Sequence, residues 1–353
     1  MTEEEEQHGR CEQAKAVAPA RSPAVVGIDG IPYLNRSNLQ GRQITILPYW
    51  DGADWHAWIP KADLFLVMRP TDTDLSDYVA REAAHPSDLW IPFVNLMWQR
   101  ASWPEICPLL SAVREDFHNL FASTAKIRHF HSHRSEIAFS ALSAFVSTEL
   151  EYILTVARSV FDLVQEIVGR LWKHVVLKDP ASEKLRKQRE HLPTTFSGFC
   201  FHKGTRRTVD EMTGGFAIPL SLAQAYQRQL PFFCKLRSMR DQAVHGIDES
   251  TLIFSTEKGF AIDSSDRRFG DLVSWKEEHR YNTTTLVTLL PWLAHVVLGV
   301  VESCSDIVAA FASEIELPPE IAPGLNVFLR SPCSEVVGDL IAAAQGHQLW
   351  WQN

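Results

Sequence analysis

Apolar and polar positions alternate differently in successive parts of this 353-residue chain. Residues 1–24 carry almost no apolar periodicity and are expected to be a disordered acidic and polar tail. Residues 25–103 alternate short apolar runs with turn residues. Val25–Ile28, Gln43–Leu47 and Leu64–Met68 predict strands, and the stretches near Ser76–Ala84 and Leu89–Gln99 predict helices. This N-terminal region is therefore read as small and α+β. From residue 104 the period lengthens. Pro104 suits the first turn of a helix running through Phe117 and Phe121. Ser132 or His133 then opens a long helix to about Val176, with Phe139, Leu142, Val146, Leu150, Ile153, Phe161 and Val164 at helical spacing.

Residues 177–215 break that pattern. They hold Pro180, Pro193 and Gly214-Gly215, and between Ala181 and Asp210 seven Lys/Arg stand against three Asp/Glu. The segment is read as a long basic loop. Helix resumes over 219–245, with a break expected at Pro231. Thr251–Ser255 and Phe260–Ile262 predict a β-hairpin. A last long helix is expected from Leu286 to about Ile315, capped by Asn282 or a following Thr. Residues 316–353 are set apart as a C-terminal extension with a strand-like run and a helix near Ser334–Ala344, ending near Trp350 and Trp351. No internal repeat is present.

Composition narrows the classes. Hydrophobic residues make up 45% and charged residues 22%, the profile of an ordinary globular chain. A net charge of −9 disfavours indiscriminate binding to nucleic acid or anionic membrane, though not contact at a local basic patch. None of the six cysteines forms a Cys-x-x-Cys pair, and several lie in apolar helical context; they are read as reduced thiols of a cytoplasmic protein. The acidic start, Met1-Thr2-Glu3-Glu4-Glu5-Glu6, is not that of a signal peptide. The longest apolar stretch, Leu286–Val301, is short for a membrane span and contains Pro291 and His295, so no membrane partner is expected.

The most informative chemistry lies at the end of the 219–245 segment. Arg240-Asp241-Gln242-Ala243-Val244-His245 is followed at once by Gly246. It joins an always-charged guanidinium to a group that titrates near neutral pH, beside a turn. Five helical steps rotate by about 500°, so Arg240 and His245 do not share one stripe. They converge where the helix frays before His245, or where a second copy of the chain supplies the other half of a site. A plainer reading treats both as cations at a helix C-terminus, favoured by the helix dipole, with Gly246 as the left-handed residue that ends it.

The Arg-Asp-x-x-x-His-Gly pattern after an apolar helix resembles the signature of the HEPN superfamily. The resemblance spans at most residues 130–315. It implies a mainly α fold: a HEPN-like helical bundle over 104–315, carrying the basic loop 177–215 and a small β-hairpin insertion, behind the α+β region. It also implies a metal-independent endoribonuclease in which two protomers bring their Arg/His motifs together. In that chemistry the RNA 2′-hydroxyl is the nucleophile. His245 moves the proton, Arg240 holds the phosphate through paired hydrogen bonds, and Asp241 orients Arg240 or accepts a hydrogen bond at the dimer seam. The products are a 2′,3′-cyclic phosphate and a 5′-hydroxyl. RNA, a second copy of the chain and an antitoxin or regulatory protein are the expected partners, in a toxin, stress or phage-defence setting; no cofactor and no metal is expected. Inactive relatives of this kind bind RNA or protein, and that is the alternative. A third reading gives the function to the N-terminal region, with the helices as scaffold.

Substrate-binding candidates complete the set. Glu151, Thr155, Arg158 and Asp162 recur at spacings of four, three and four, one stripe of the long helix. Glu151 or Arg158 is expected to face the Arg/His motif, unless the stripe is simply the solvated face. Arg206 and Arg207 in the basic loop are the expected RNA-facing charges. His129, His131 and His133 would point to one side of an extended strand and could bind zinc, but no Cys or carboxylate at a regular spacing completes a site. Gly-rich phosphate loops, Gly-x-Ser-x-Gly and His-Glu-x-x-His are absent from the sequence.

Overall fold

The computed structural model describes residues 24–39, 41–70, 77–101, 103–189, 191–245, 252–266, 269, 275–281, 285–330 and 333–346, with backbone alone for 243–245. The acidic tail to residue 23, Gly246, Asn282, Trp350 and Trp351 lie outside the described residues.

Five strands open the chain: β1 (Val25–Val26), β2 (Tyr49–Trp50), β3 (Trp55–Lys61), β4 (Leu64–Met68) and β5 (Asp77–Ala80). They are followed by β6 (Leu89–Trp90), α1 (Pro92–Arg100), α2 (Cys107–Ser132) and α3 (Phe139–Leu171). Then come α4 (Pro180–Arg186), α5 (Phe196–Cys200), β7 (Phe201–His202), β8 (Thr205–Arg206), α6 (Val209–Phe216) and α7 (Leu220–His245). The chain ends with β9 (Phe254–Thr256), β10 (Gly259–Asp263), β11 (Leu286–Thr288), α8 (Leu290–Glu314), β12 (Asn326–Leu329) and α9 (Ser334–Gln345).

The expectation of a mainly α bundle is corrected. Helix makes up 54% and strand 15%, and the fold is α+β, with a seven-stranded mixed sheet and two smaller sheets. The large sheet has the order β1-β4-β3-β2-β5-β12-β6, and β2–β5 is its parallel pair. The sequence reading missed this because the sheet is assembled from both ends of the chain. Strand β12, in the C-terminal extension, pairs with β5 and β6, Val327 opposite Val79. Gln99 fastens the join: its amide donates to the Ala322 and Leu325 carbonyls at 2.9 and 2.8 Å, and its own oxygen accepts the Ala322 amide.

Several local expectations change for identifiable reasons. Asp77–Ala80 is a strand rather than part of a helix, because β2 and β12 flank it and bury all four residues. Gln43–Leu47 joins no strand ladder. Side chains take its carbonyls instead: Cys107 donates to Gln43 O, Trp98 to Thr45 O and Tyr33 to Leu47 O. The first long helix continues through Ser132, so α3 begins at Phe139. The basic loop is structured as α4, α5, the β7–β8 hairpin and α6. Helix α7 runs unbroken through Pro231, whose ring faces outward while Leu230 and Phe233 are buried on the other side. Leu286–Thr288 pairs with β10 as strand β11, so the last long helix starts at Leu290. The hairpin expected near 251–262 is present as β9–β10.

One apolar core unites the helices with the large sheet, from Ile31 to Ala343. Helix α3 is central, packing against α2, α7 and α8. Its Ile153, Ala157, Val160, Phe161, Ile167 and Val168 are fully buried. Among the described residues only α8 is long and apolar enough to cross a membrane; Trp292, Leu293, Val296, Val297, Val300 and Ile307 are buried within the fold.

Candidate functional site

Helices α3 and α7 run antiparallel, which sets the levels of the predicted site residues that these two helices carry. Tyr226 on α7 donates to the Gln165 carboxamide on α3, and Phe233 lies 5.4 Å from Phe161. Moving toward the end of α7 therefore means moving toward the start of α3. Extended at about 1.5 Å per residue, this register puts Arg158 at about the level of Arg237, and Glu151 at about the level of the last turn of α7.

Short helix α5 fills the seam. Phe196 and Phe199 are fully buried, with rings 4.5 Å from Phe233 and 4.3 Å from Tyr226. Such offset aromatic contacts make a stiff floor. Two side chains satisfy amides at the start of α5. Asp162 of α3 accepts from Phe196 N at 2.9 Å, and the N-cap Thr195 accepts from Gly198 N at 3.0 Å. A methyl at Gly198 would approach Thr195 Oγ1 to 2.9 Å, so glycine keeps this corner open.

Polar contacts cross this floor in sequence. Arg158 Nη1 pairs with Asp162 Oδ2 at 3.1 Å. Asp162 holds α5, and Ser197 of α5 accepts a hydrogen bond from Arg237 Nη1 at 3.4 Å. Arg237 Nε and Arg240 Nη2 approach the two oxygens of Asp241, at 3.7 and 3.3 Å. Three guanidinium groups and two carboxylates thus lie along one exposed seam. The Arg237–Asp241 pair is solvated, 48% and 44% exposed, so it can exchange partners at small cost, whereas Arg158 and Asp162 are each only a quarter exposed.

The predicted residues fall into four groups. Arg240, Asp241 and Arg158 join this seam. Glu151 sits at the right level but is exposed and makes no bond to Arg240; its carbonyl accepts from Thr155. Arg206 and Arg207 do not join: Gln227 donates to the Arg207 carbonyl, and thirteen helical steps separate Gln227 from Arg240, about 20 Å along α7. The backbone of His245 closes α7, and its side chain lies outside the described residues.

Arg237 and Ser197 were missed. Arg237 had a usable signal, since it stands four residues before Asp241, where opposite charges meet on a helix. Ser197 had none, because its relation to α7 is purely tertiary.

Other reactive groups lie elsewhere. The three neighbouring histidines belong to α2, not to a strand. The rings of His129 and His133 lie 4.2 Å apart, tilted by 38°, while His131 turns inward to bond Thr256 O at 2.9 Å, so the three do not share a side. Among the described residues no group of three or more His, Cys, Asp or Glu is arranged to hold a metal ion. Cys107, Cys200, Cys234 and Cys304 are free thiols. Burial pushes the thiol of Cys200, beneath the seam, far above its ordinary value, leaving it protonated and a poor nucleophile. Comparison with known protein families, curated proteins and solved structures finds no match for this chain.

Proposed function

We propose that the chain is a metal-independent endoribonuclease that acts as a homodimer, with the end of α7 as its site. The observation that carries this reading is the meeting of Arg237 and Arg240 on Asp241, in the turns just before His245. Guanidinium pairs of this kind suit a phosphodiester, because each offers two parallel donors to its oxygens. The resemblance of Arg240-Asp241-x-x-x-His245-Gly246 to the HEPN motif supports the reading; the overall architecture does not enter it.

The chemistry uses the nucleophile that RNA carries. One imidazole takes the 2′-hydroxyl proton as that oxygen bonds to phosphorus. The bond from phosphorus to the 5′-oxygen breaks, and a second imidazole returns a proton to the leaving oxygen. Arg240 stabilises the charge that grows on the phosphoryl oxygens. Each chain has one His245, so the acid and the base come from two copies. Such an enzyme suits a toxin, stress or phage-defence role in the cytoplasm, held in check by an antitoxin or regulatory protein.

A second reading is a non-catalytic module that binds RNA or a partner protein. End-labelled RNA incubated in EDTA with wild type, Arg240→Ala and His245→Ala separates the two. Cleavage to cyclic-phosphate ends, lost in both variants, supports the ribonuclease. Binding without cleavage across varied RNAs supports the module. A strict monomer at assay concentration would sink the composite site.

A further inference from the structure

The β7–β8 hairpin spends conformational freedom on a cation. Phe201 pairs with Arg206 and His202 with Thr205, so Lys203 and Gly204 form a two-residue turn. Both have positive φ, 48° and 83°, as a type I′ turn requires. Gly204 adopts this region without strain. Lys203 does not, and Asn or Gly is the ordinary residue there. The turn therefore sets a lysine at an exposed tip beside the exposed Arg206. Neither makes an ion pair among the described residues. The nearby Glu211 carboxylate is engaged at the start of α6, where it accepts the Thr208 amide at 2.7 Å. Arg207 braces the base of the hairpin, its guanidinium 5.0 Å from the Phe216 ring centre.

The hairpin continues directly from α5, whose other end meets Arg237 through Ser197. Two basic groups therefore stand on either side of one short helix: the base of the hairpin, held at Gln227, lies about 15 Å along α7 from Arg237 and about 20 Å from Arg240. Between them Ser197 and the exposed Gly198 present small side chains and leave the way open.

We propose that the β7–β8 hairpin is a second holding point for RNA, with Lys203 and Arg206 gripping the backbone of a single strand whose other phosphates lie at Arg237 and Arg240. The inference rests on the RNA reading of the α7 end and adds to it the form of the substrate and its path. A narrow line of cations on a chain of net charge −9 suits one flexible strand rather than the broad face of a duplex.

The test is binding, independent of cleavage. A fluorescein-labelled 2′-O-methyl RNA dodecamer, which lacks the nucleophilic hydroxyl, is titrated at several salt concentrations. The proteins are wild type, Arg240→Ala and the double variant Lys203→Gly with Arg206→Ala. The double variant is expected to bind more weakly, and its slope of log affinity against log salt to flatten by about 1.4, at about 0.7 per lost contact to a single strand. Its thermal midpoint should not fall, because glycine relieves the turn, so weaker binding cannot be assigned to misfolding. Unchanged affinity and slope in the double variant, with Arg240→Ala still weakened, overturns the hairpin as a holding point and leaves the α7 reading standing. Tighter binding of the matching duplex overturns the single-strand path. Wild type that binds neither RNA overturns both readings together.

Discussion

Asp162 on α3 accepts the Phe196 amide of α5 at 2.9 Å, and so fastens the floor of the candidate site to the central helix. The same carboxylate holds Arg158. Replacing Asp162 with Ala removes a charged hydrogen bond to an otherwise orphaned amide, at a cost of about 1–2 kcal/mol. Asp162→Asn keeps an acceptor oxygen and should lose less. Denaturant midpoints of the two variants check this. Equal losses would mean that the amide bond contributes nothing.

Asp241 restrains two arginines at once. Asp241→Asn should leave stability within about 0.5 kcal/mol, because exposed pairs contribute little. RNA binding should tighten and depend more steeply on salt, while cleavage slows as Arg240 loses its orienting partner. Fluorescence anisotropy and single-turnover cleavage together read this split. Weaker binding by Asp241→Asn would contradict it.

Glu183 and Arg186 form a buried ion pair past the C-terminal end of α3, bonded through both carboxylate oxygens at 2.8 Å. Arg186 also donates to Trp172 O at 2.7 Å. The bonds from Arg186 pull the Glu183 carboxyl down to about 2. A depressed acid contributes stability that is complete above its unfolded value and is lost as pH falls through its folded one. Stability from this pair should therefore drain away between about pH 4.5 and 2. Arg186→Ala should cost about 3–5 kcal/mol at pH 7, since it strands a buried charge. That cost should shrink by pH 3, where Glu183 can be protonated in the variant. Urea unfolding at both pH values is the measurement.

His118, His131 and His279 are each shifted down from the ordinary imidazole value, in every case mainly by burial. Below about pH 6.5 the unfolded chain takes up protons that the folded chain resists. Stability should therefore fall on acidification from pH 7 to 5, a window separate from that of Glu183. Unfolding at half-unit steps shows it, and NMR titration of the imidazoles assigns it. A flat profile would mean that these rings titrate normally.

How much of this was legible in the sequence depends on how locally each feature is determined. The long amphipathic helices could be read because their apolar periods lie in a single stretch, as in α3 and α8. The hairpin near residues 251–262 could be read from its turn residues. Arg240, Asp241 and Arg158 could be named because their spacings are local. The large sheet could not be read: Val79 meets Val327, a pairing that no window of sequence contains. Gln43–Leu47 has strand-like residues, but its carbonyls bond to side chains from distant elements.

Local sequence sets the helical faces, the position of the Arg-Asp-x-x-x-His-Gly motif at a helix end, and the surplus of basic residues between Ala181 and Asp210. These follow from propensity and periodicity, which act over a few residues. Tertiary packing alone ties Arg158, through Asp162 and α5, to Arg237 beside the motif, and sets Arg206 and Arg207 about 20 Å away along α7. It also decided that the C-terminal strand completes the N-terminal sheet. Those relations come from burying apolar faces against partners remote in the chain, and the identity of such partners is written in no local pattern.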